Sequence, residues 1–404
     1  MQKEYIINTS TVLTVNLVKS APESFRKVVE KTNTVRVYKD GCIGVAGSIG
    51  ETDFDALEKQ AADNLENKLP YPANLPKNKI KTVDNSKFIF DTDKMMGYVR
   101  QLMEKISKAL PDFIFSNKII YREIESHYKN TEGSDLKYKG NRFDASIIIK
   151  SKKSANLFDL GYGFHQNYAD TDAVVKEIVE LCEKYDTPVD IEPGKYPVLA
   201  ESMDFLMRTL KDMTVEAYAA NSSLYKGKLN EKIFADSYSL YIDRNPEENY
   251  CLPFFDAEGE YTDDYRQYVI KDGVLVNLLG NKRSADLYKL PVVKSSSAQY
   301  ASIPAVGVFG FTEKYGDKSF AQLTKEKTVM VIMASGGDIT TSGDYATPVQ
   351  YAYLVQDGKM LGRLPDIKIH NNIFNIYGSD YVCAFEMPGY SKTRFTLTHM
   401  NVEK

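Results

Sequence analysis

In this chain, the spacing that best suits the sharing or transfer of a proton belongs to two carboxylates separated by a single residue. Asp256 and Glu258 lie in the sequence FFDAEGE at 254–260. In a strand, residues two apart point to the same face, so this pair could share a proton or a cation. Alternatively, both carboxylates hold a turn by accepting backbone hydrogen bonds, with Gly259 supplying a positive φ angle. We favour the turn, and treat Asp256, Glu258 and Gly259 as candidates for a groove.

His370 and Cys383 are a weaker second candidate for a reactive site. Together with Glu386, they could form an unusual metal or hydrolase site, although nothing in their spacing requires one. A buried, inert thiol is the expected state of Cys383. The four histidines are isolated, so the sequence contains no His-Glu-x-x-His zinc helix. His165 ends the segment GYGFH at 161–165 and could line a groove, although this segment is more typical of a flexible strand or turn.

Composition and missing motifs exclude several classes of protein. The chain lacks a phosphate-binding loop, a dinucleotide fingerprint and a serine-hydrolase elbow. A net charge of -4 argues against direct nucleic-acid binding. The apolar runs are far shorter than the roughly 18 residues that would span a membrane, and the N-terminus lacks a secretory signal. Four isolated cysteines fit a reducing compartment, so we expect a cytoplasmic protein.

The elements that must position these residues change in character near residue 190. An Asp-Gly turn at 40–41 predicts a hairpin, and apolar spacing predicts helices beginning near Asp53, Asp93 and Thr171. We therefore expect an N-terminal α+β domain, with a mixed sheet and helices, over 1–190. One helix over 202–219 then leads into repeated Asp-Gly and Gly-Asp turns. These turns predict a β-rich, barrel-like or sandwich-like domain over 191–404.

Several segments, taken in order, resemble the TldD/PmbA family, whose members are often labelled modulators of DNA gyrase. The stretch FFDAEGE precedes a strand, YVIKDGVL at 268–275, and a helix start, NKRSA at 281–285. VRVYKDGCIG at 35–44 is similar to the family's first hairpin, and GKYPVL at 194–199 to its entry into the second half. The resemblance covers nearly the whole chain and rests on the order of the motifs. It implies an association with metallopeptidase activity, that is, proteolysis.

The resemblance also implies which of two subunit types this chain is. TldD-type chains carry His-Glu-x-x-x-His on a helix, which helps to bind a catalytic zinc, whereas TldE (PmbA) chains lack it. The matching positions here are Leu206, Met207 and Lys211. An aliphatic side chain cannot bind zinc, a thioether cannot act as a general base, and an ammonium group repels a cation. The chain therefore resembles TldE, with no cofactor of its own and zinc expected on a TldD-like partner.

Three functional hypotheses follow from the sequence. In the first, the chain is the subunit without metal in a TldD/TldE-type assembly that acts on unfolded peptides or peptide precursors. It would bind the extended peptide by strand addition, and its oligomer would contain a TldD-like chain or further copies of itself. In the second, it is a homodimeric scaffold that makes a gyrase-modulator type of protein contact without proteolysis. In the third, it is an autonomous hydrolase built around Asp256, Glu258, His370 and Cys383.

Overall fold

The first part of the chain forms an eight-stranded sheet with three helices. The computed structural model describes residues 1–88, 90–157, 159–166, 170–386 and 394–404. The sheet order is β4-β3-β2-β1-β6-β7-β5, and β8 also pairs with β7. The elements in chain order are β1 (Gln2–Val18), β2 (Ala21–Lys39), β3 (Cys42–Ile49), α1 (Phe54–Asp63), β4 (Leu69–Pro70), β5 (Ile80–Asn85), α2 (Thr92–Ala109), β6 (Phe113–Asn130), β7 (Asp135–Ser151), β8 (Leu160–Gln166) and α3 (Thr171–Glu183).

Local sequence accounts for the turns and helix starts of this sheet. Asp40 and Gly41 both have positive φ angles, 51° and 74°, as the tight turn between β2 and β3 requires. The side chains of Asp53, Asp91 and Asp170 accept hydrogen bonds from backbone N–H groups of the first turns of α1, α2 and α3. The three helices predicted in this part are therefore confirmed.

The strands differ more from the prediction than the helices do. The sequence predicts two short strands, at 5–7 and 12–15. Both are parts of one strand, β1, which pairs with β2 and with β6 along nearly its whole length. Three prolines, at 70, 72 and 76, predict a loop over residues 70–90, but this segment contains β5. This strand runs parallel to β7 from Asp135 to Gly140. Long-range pairing creates these strands, since the alternation of polar residues along them is weak.

The second part of the chain is built mostly from short strands. Its elements in chain order are β9 (Gly194–Glu201), α4 (Ser202–Thr209), α5 (Val215–Ala219), β10 (Leu240–Asp243), β11 (Arg266–Lys271), β12 (Val274–Leu275), β13 (Leu278–Gly280), α6 (Lys282–Tyr288), β14 (Val292–Lys294), β15 (Ser296–Ser297), β16 (Ala305–Val306), β17 (Phe311–Glu313), α7 (Phe320–Leu323), β18 (Thr328–Ala334), β19 (Asp338–Ile339), β20 (Asp344–Gln356), β21 (Lys359–Arg363), β22 (Ile367–Asn372), α8 (Ile373–Ile376), β23 (Tyr381–Glu386) and β24 (Arg394–Glu403).

Five of these strands close into a barrel. Strands β18, β9, β24, β22 and β20 pair in that order, and β20 pairs back with β18. Along a strand of the barrel wall, successive side chains pack in two different hydrophobic cores. Val329 and Val331 join the core inside the barrel, whereas Met330 between them packs with α2, α3 and the first sheet. The predicted α+β class with a β-rich second part is confirmed. The boundary between 190 and 191 stays a prediction.

The segment after β9 differs from the single helix expected over 202–219. It consists of α4, a 3₁₀ turn at Leu210–Met213, and α5. The Thr214 hydroxyl accepts a hydrogen bond from the N–H of Ala217 and so begins a new helix. The apolar residues of this segment predict one stripe along the helix, formed by Met203, Leu206, Met207, Leu210 and Met213. The stripe is interrupted, because Met207 is 55% exposed while Leu206 is buried. None of the helices formed by the described residues is both long and apolar enough to cross a membrane.

Candidate functional site

The carboxylates of the FFDAEGE segment lie in a buried turn. Asp256 accepts hydrogen bonds from the N–H groups of Glu258 at 2.9 Å, Glu260 at 3.0 Å and Ser296 at 3.2 Å. Gly259 adopts φ 70° in this turn, and its N–H bonds to the Asp256 carbonyl. These contacts are those of a turn held by its own carboxylate. Asp256 also reaches a cavity of about 200 Å³ beside the first sheet.

Glu258 joins this turn to the first part of the chain. The Tyr71 hydroxyl donates to one carboxylate oxygen at 2.5 Å, and the N–H of Lys282 donates to the other at 3.2 Å. Burial raises the pKa of Glu258 to about 7, and the nearby carboxylate of Asp256 acts in the same direction. Burial likewise raises the pKa of Asp256, against the opposing charge of Arg244. The two carboxylates thus form a buried acidic pair.

This pair predicts a pH dependence of stability. Because folding raises the pKa of Glu258, the contribution of this residue to the free energy of unfolding is largest at acidic pH. That contribution is lost as the pH rises from the unfolded value, about 4.5, through about 7. We expect Glu258→Gln to remove about 3 kcal/mol of the change in unfolding free energy over this pH range. Urea titrations of the wild-type protein and the variant at several pH values measure this change. If the unfolding free energies of the two proteins depend on pH in the same way, the prediction is wrong.

A second buried group lies on the strands beneath this turn. The Arg36 guanidinium donates to the Glu4 carboxylate at 2.7 Å and to the carbonyl of Ala257 at 2.8 Å. Tyr38 and Tyr128 each donate a hydroxyl to Glu4 at 2.8 Å. Arg36 and Glu4 are both about 1% exposed. The function of this group is therefore to anchor the 256–260 turn to β1, β2 and β6.

An opening of about 380 Å³ that is lined by several charged groups lies between β8 and the barrel. We call it the central cleft. Its walls come from β7 and β8 on one side and from β9, α4, β18 and β24 on the other. The lining residues with charged or ring-nitrogen side chains are Arg142, His165, Glu201, Asp204, Glu248, Glu386 and Arg394. Gly161 and Gly163 of β8 expose backbone to the same space.

The charge of the cleft is organised around Asp144 and His165. These residues are directly opposite in the pairing of β7 with β8, and His165 Nδ1 lies 2.6 Å from the Asp144 carboxylate. Burial alone would raise the pKa of Asp144, but the hydrogen bond with His165 and the charge of Arg142 hold it below its ordinary value. Across the cleft, desolvation and the neighbouring Asp204 raise the pKa of Glu201. The cleft therefore presents both signs of charge to a bound polar chain.

His370 and Cys383 are not brought together into one site. They lie on strands β22 and β23, which pair with different parts of β24, where His370 is opposite Asn401 and Cys383 is opposite Leu397. His370 Nε2 is 3.1 Å from the carboxylate of Glu403. Burial raises the pKa of the Cys383 thiol to about 11, which keeps it protonated. Within the described residues, no three His, Cys, Asp or Glu side chains are grouped as a metal site requires.

The sequence left a groove position open for His165 and favoured a flexible strand or turn; the residue lies on strand β8 and lines the cleft. Sequence reasoning missed most of the other cleft residues. Three charged residues near His165, namely Asp144, Arg142 and Arg394, come from other strands. The pairing of these strands depends on residues far apart in the sequence. The available signal was the strict alternation in β8, which exposes residues 161, 163 and 165 and buries those between them. Leu206 and Met207 follow the cleft-lining residues Met203 and Asp204 on α4.

Comparisons with known proteins agree with this architecture. Residues 193–383 match the model of the PmbA/TldA metallopeptidase C-terminal domain. A metalloprotease of Archaeoglobus fulgidus is 24% identical over 290 residues, which cover 68% of this chain and 67% of that protein. An uncharacterized protein of Methanocaldococcus jannaschii is 22% identical over 375 residues, or 89% of this chain and 86% of the relative.

Two solved structures share the fold over essentially the whole chain. TldE from Thermococcus kodakarensis has a TM-score of 0.82 at 16% identity, covering 100% of this chain and 97% of that one. A candidate modulator of a DNA gyrase from Thermotoga maritima has a TM-score of 0.78 at 18% identity, covering 99% and 96%. These two structures show the shared fold, and the match of residues 193–383 to the family model confirms the resemblance to the TldD/PmbA family predicted from the sequence.

Proposed function

We propose that this chain is the subunit without metal in a TldD/TldE-type metallopeptidase assembly that acts on unfolded peptides or peptide precursors. The observation that carries the proposal is the helix beside the central cleft. Where the resemblance calls for a zinc-binding helix, Leu206 is buried in the core, Met207 points to solvent, and Lys211 brings a positive charge. These three side chains do not fit a metal ion. The zinc, and the activation of water that it supplies, therefore belong to a TldD-like partner.

The role of this chain in the assembly is to hold the peptide. Strand β8 pairs with β7 along one edge, and its other side borders the cleft. An extended peptide in the cleft would find exposed backbone at Gly161 and Gly163, where no side chain blocks its approach. Arg142 and Arg394 would meet acidic groups of the peptide, and Glu201 and Asp204 basic ones. Tyr162 and Tyr250 supply aromatic walls.

Co-purification from native cells tests this proposal. We expect the tagged chain to recover a stoichiometric partner that carries His-Glu-x-x-x-His, and the pair to cleave an unfolded peptide such as reduced casein. A chelator should abolish cleavage, and the isolated chain should have no activity. Recovery of the chain without any such partner would overturn the proposal and favour the homodimeric scaffold.

A cleft variant tests the peptide-holding role within the active pair. A Cβ at Gly161 would meet no atom within 4 Å, so Gly161→Leu adds bulk to the cleft without a clash in the fold. We expect at least a tenfold rise in KM for peptide cleavage, since the side chain occupies the path of the peptide backbone. Gly97→Leu is the matched control, because Gly97 in α2 also has open space. Equal KM values for the two variants would exclude the cleft as the peptide site.

A further inference from the structure

The cavity that Asp256 reaches, of about 200 Å³, lies between the first sheet and two segments of the second part of the chain. Its floor is one face of strands β1, β2 and β6, and its other walls include residues 252–257 and 296–300. We call it the arginine cavity, because Arg36 and Arg244 both line it. Of the described residues, none lines both this cavity and the central cleft, so the two are separate sites.

Three side chains in the wall of the arginine cavity carry hydrogen-bond donors that have no acceptor. Within the described residues, Arg36 Nε, Arg244 Nε and Ser296 Oγ are buried and make no hydrogen bond. The exposed fractions of these residues are only 1%, 5% and 2%. Because a buried donor without an acceptor is unfavourable, three of them around one cavity indicate that an acceptor enters it from outside the chain.

Arg244 is also a buried cation without a counter-ion in contact. Its Nη1 donates to the carbonyls of Pro253 and Phe255 at 3.1 Å, and the arginine ion pairs of the described residues do not include it. Asp256, the one acidic residue among the described lining residues, instead accepts hydrogen bonds from three backbone N–H groups. Burial lowers the pKa of Arg244, against the opposing charge of Asp256. Since buried charges in proteins are normally paired, an anion would complete this site.

The apolar part of the wall limits the size and chemistry of the anion. The rings of Tyr128 and Phe255 are buried beside the cavity. Tyr300 and Phe309 also line it and are 42% and 52% exposed, which marks the side that is open to solvent. An apolar cavity of about 150 Å³ can hold a benzene molecule. The arginine cavity therefore has room for one ring, or an aliphatic group of that size, with a short polar extension.

We propose that the arginine cavity binds a carboxylate carried by a small apolar or aromatic group, with Arg244 as its counter-ion. The carboxylate accepts hydrogen bonds from Arg244 Nε and Ser296 Oγ, and the apolar group packs against the exposed aromatic rings. Arg36 keeps Glu4 as its own counter-ion, at 2.7 Å. A free aromatic acid and the C-terminal residue of a peptide share this chemistry. The inference does not depend on a peptidase partner, because the isolated chain contains the whole cavity.

Calorimetric titration of the purified full-length chain tests the role of charge. We expect 3-phenylpropionate to bind at least about tenfold more tightly than 3-phenylpropionamide, which has nearly the same shape but no charge. Equal affinities for the acid and the amide, or binding of neither, would overturn the proposal.

Two variants test the location of the bound acid. Arg244→Met should weaken the binding of 3-phenylpropionate at least about tenfold, whereas Arg283→Met, at an exposed position on α6 that does not line the cavity, should not change it. Arg244→Met also removes two hydrogen bonds to backbone carbonyls. Ser296→Ala is therefore the second variant, because its hydroxyl has no partner in the chain, and it should weaken binding about threefold. Unchanged affinity in both variants would refute the site.

Two peptide probes distinguish the sources of the carboxylate. They are a tetrapeptide of three alanines and a C-terminal phenylalanine, and the same peptide with a C-terminal amide. Binding of the free peptide but not of its amide would identify the ligand as a peptide C-terminus. Binding of 3-phenylpropionate but of neither peptide would identify it as a free acid. Equal binding of the two peptides would contradict recognition of a carboxylate.

Discussion

Replacing Arg36 with methionine is expected to lower the free energy of unfolding by about 3–5 kcal/mol. The change leaves the carboxylate of Glu4 about 1% exposed and without its counter-ion. It also removes the hydrogen bond from Arg36 to the carbonyl of Ala257, which anchors the 256–260 turn. The hydroxyls of Tyr38 and Tyr128 remain as donors to Glu4, but neutral donors replace only part of the interaction with a cation. Chemical denaturation followed by circular dichroism measures the loss.

Two matched variants separate the buried charge from the loss of packing. The double variant Glu4→Gln/Arg36→Met contains no unpaired charge and should recover a large part of the stability. Lys31→Met breaks a surface ion pair whose partner, Glu51, is 93% exposed, and should change stability little. If Arg36→Met is no more costly than Lys31→Met, the buried pair does not anchor the turn.

Gly259→Ala should destabilise the fold by about 3 kcal/mol through two additive effects. Gly259 has φ 70°, a conformation that costs an alanine about 1 kcal/mol. A Cβ there would also lie 2.5 Å from the ring of Tyr128, which is buried and cannot move aside without repacking. Thermal unfolding of the variant provides the measurement.

Gly227 separates the two effects. It has a similar φ of 78°, but a Cβ added there would meet nothing within 4 Å. Gly227→Ala should therefore cost only the backbone strain, about 1 kcal/mol. If Gly227→Ala and Gly259→Ala lose similar amounts of stability, the ring of Tyr128 moves aside easily. That result would contradict the tight packing of the turn against β6.

The helices of the first part were predictable because each begins at an aspartate that caps it and continues with apolar residues at helical spacing. The full length of β1 and β2 was not, since the middle of β1 is half-buried on both faces, the first half of β2 is mostly exposed, and neither section alternates regularly. Pairing with neighbouring strands, which is a tertiary effect, extends them. The helix over 202–219 was overestimated because Thr214 can either continue a helix or cap a new one.

The candidate site shows the same division between local and long-range information. The turn at 256–260 could be anticipated, because Asp, Glu and Gly at these spacings suit a turn. Its connection to Tyr71 and Arg36 could not, since those residues are 187 and 221 positions away from their partners in the turn. The opposition of Asp144 and His165 likewise depends on the register of β7 with β8. A carboxylate and an imidazole 21 residues apart give no local signal of contact.

The order of strands in the barrel has a consequence for biosynthesis. Strand β9 is the first strand of the barrel to leave the ribosome, and in the barrel it lies between β18 and β24. It therefore has neither of its partner strands until β18 and β24 have been synthesised. Its partner in β24 spans Phe395 to Val402, about 200 residues further along the chain. The first sheet has all its strands by Gln166 and can form during translation, whereas the barrel closes only after β24 emerges. Until then β9 is a candidate binding site for chaperones, and a nascent chain stalled before residue 394 should be captured by them.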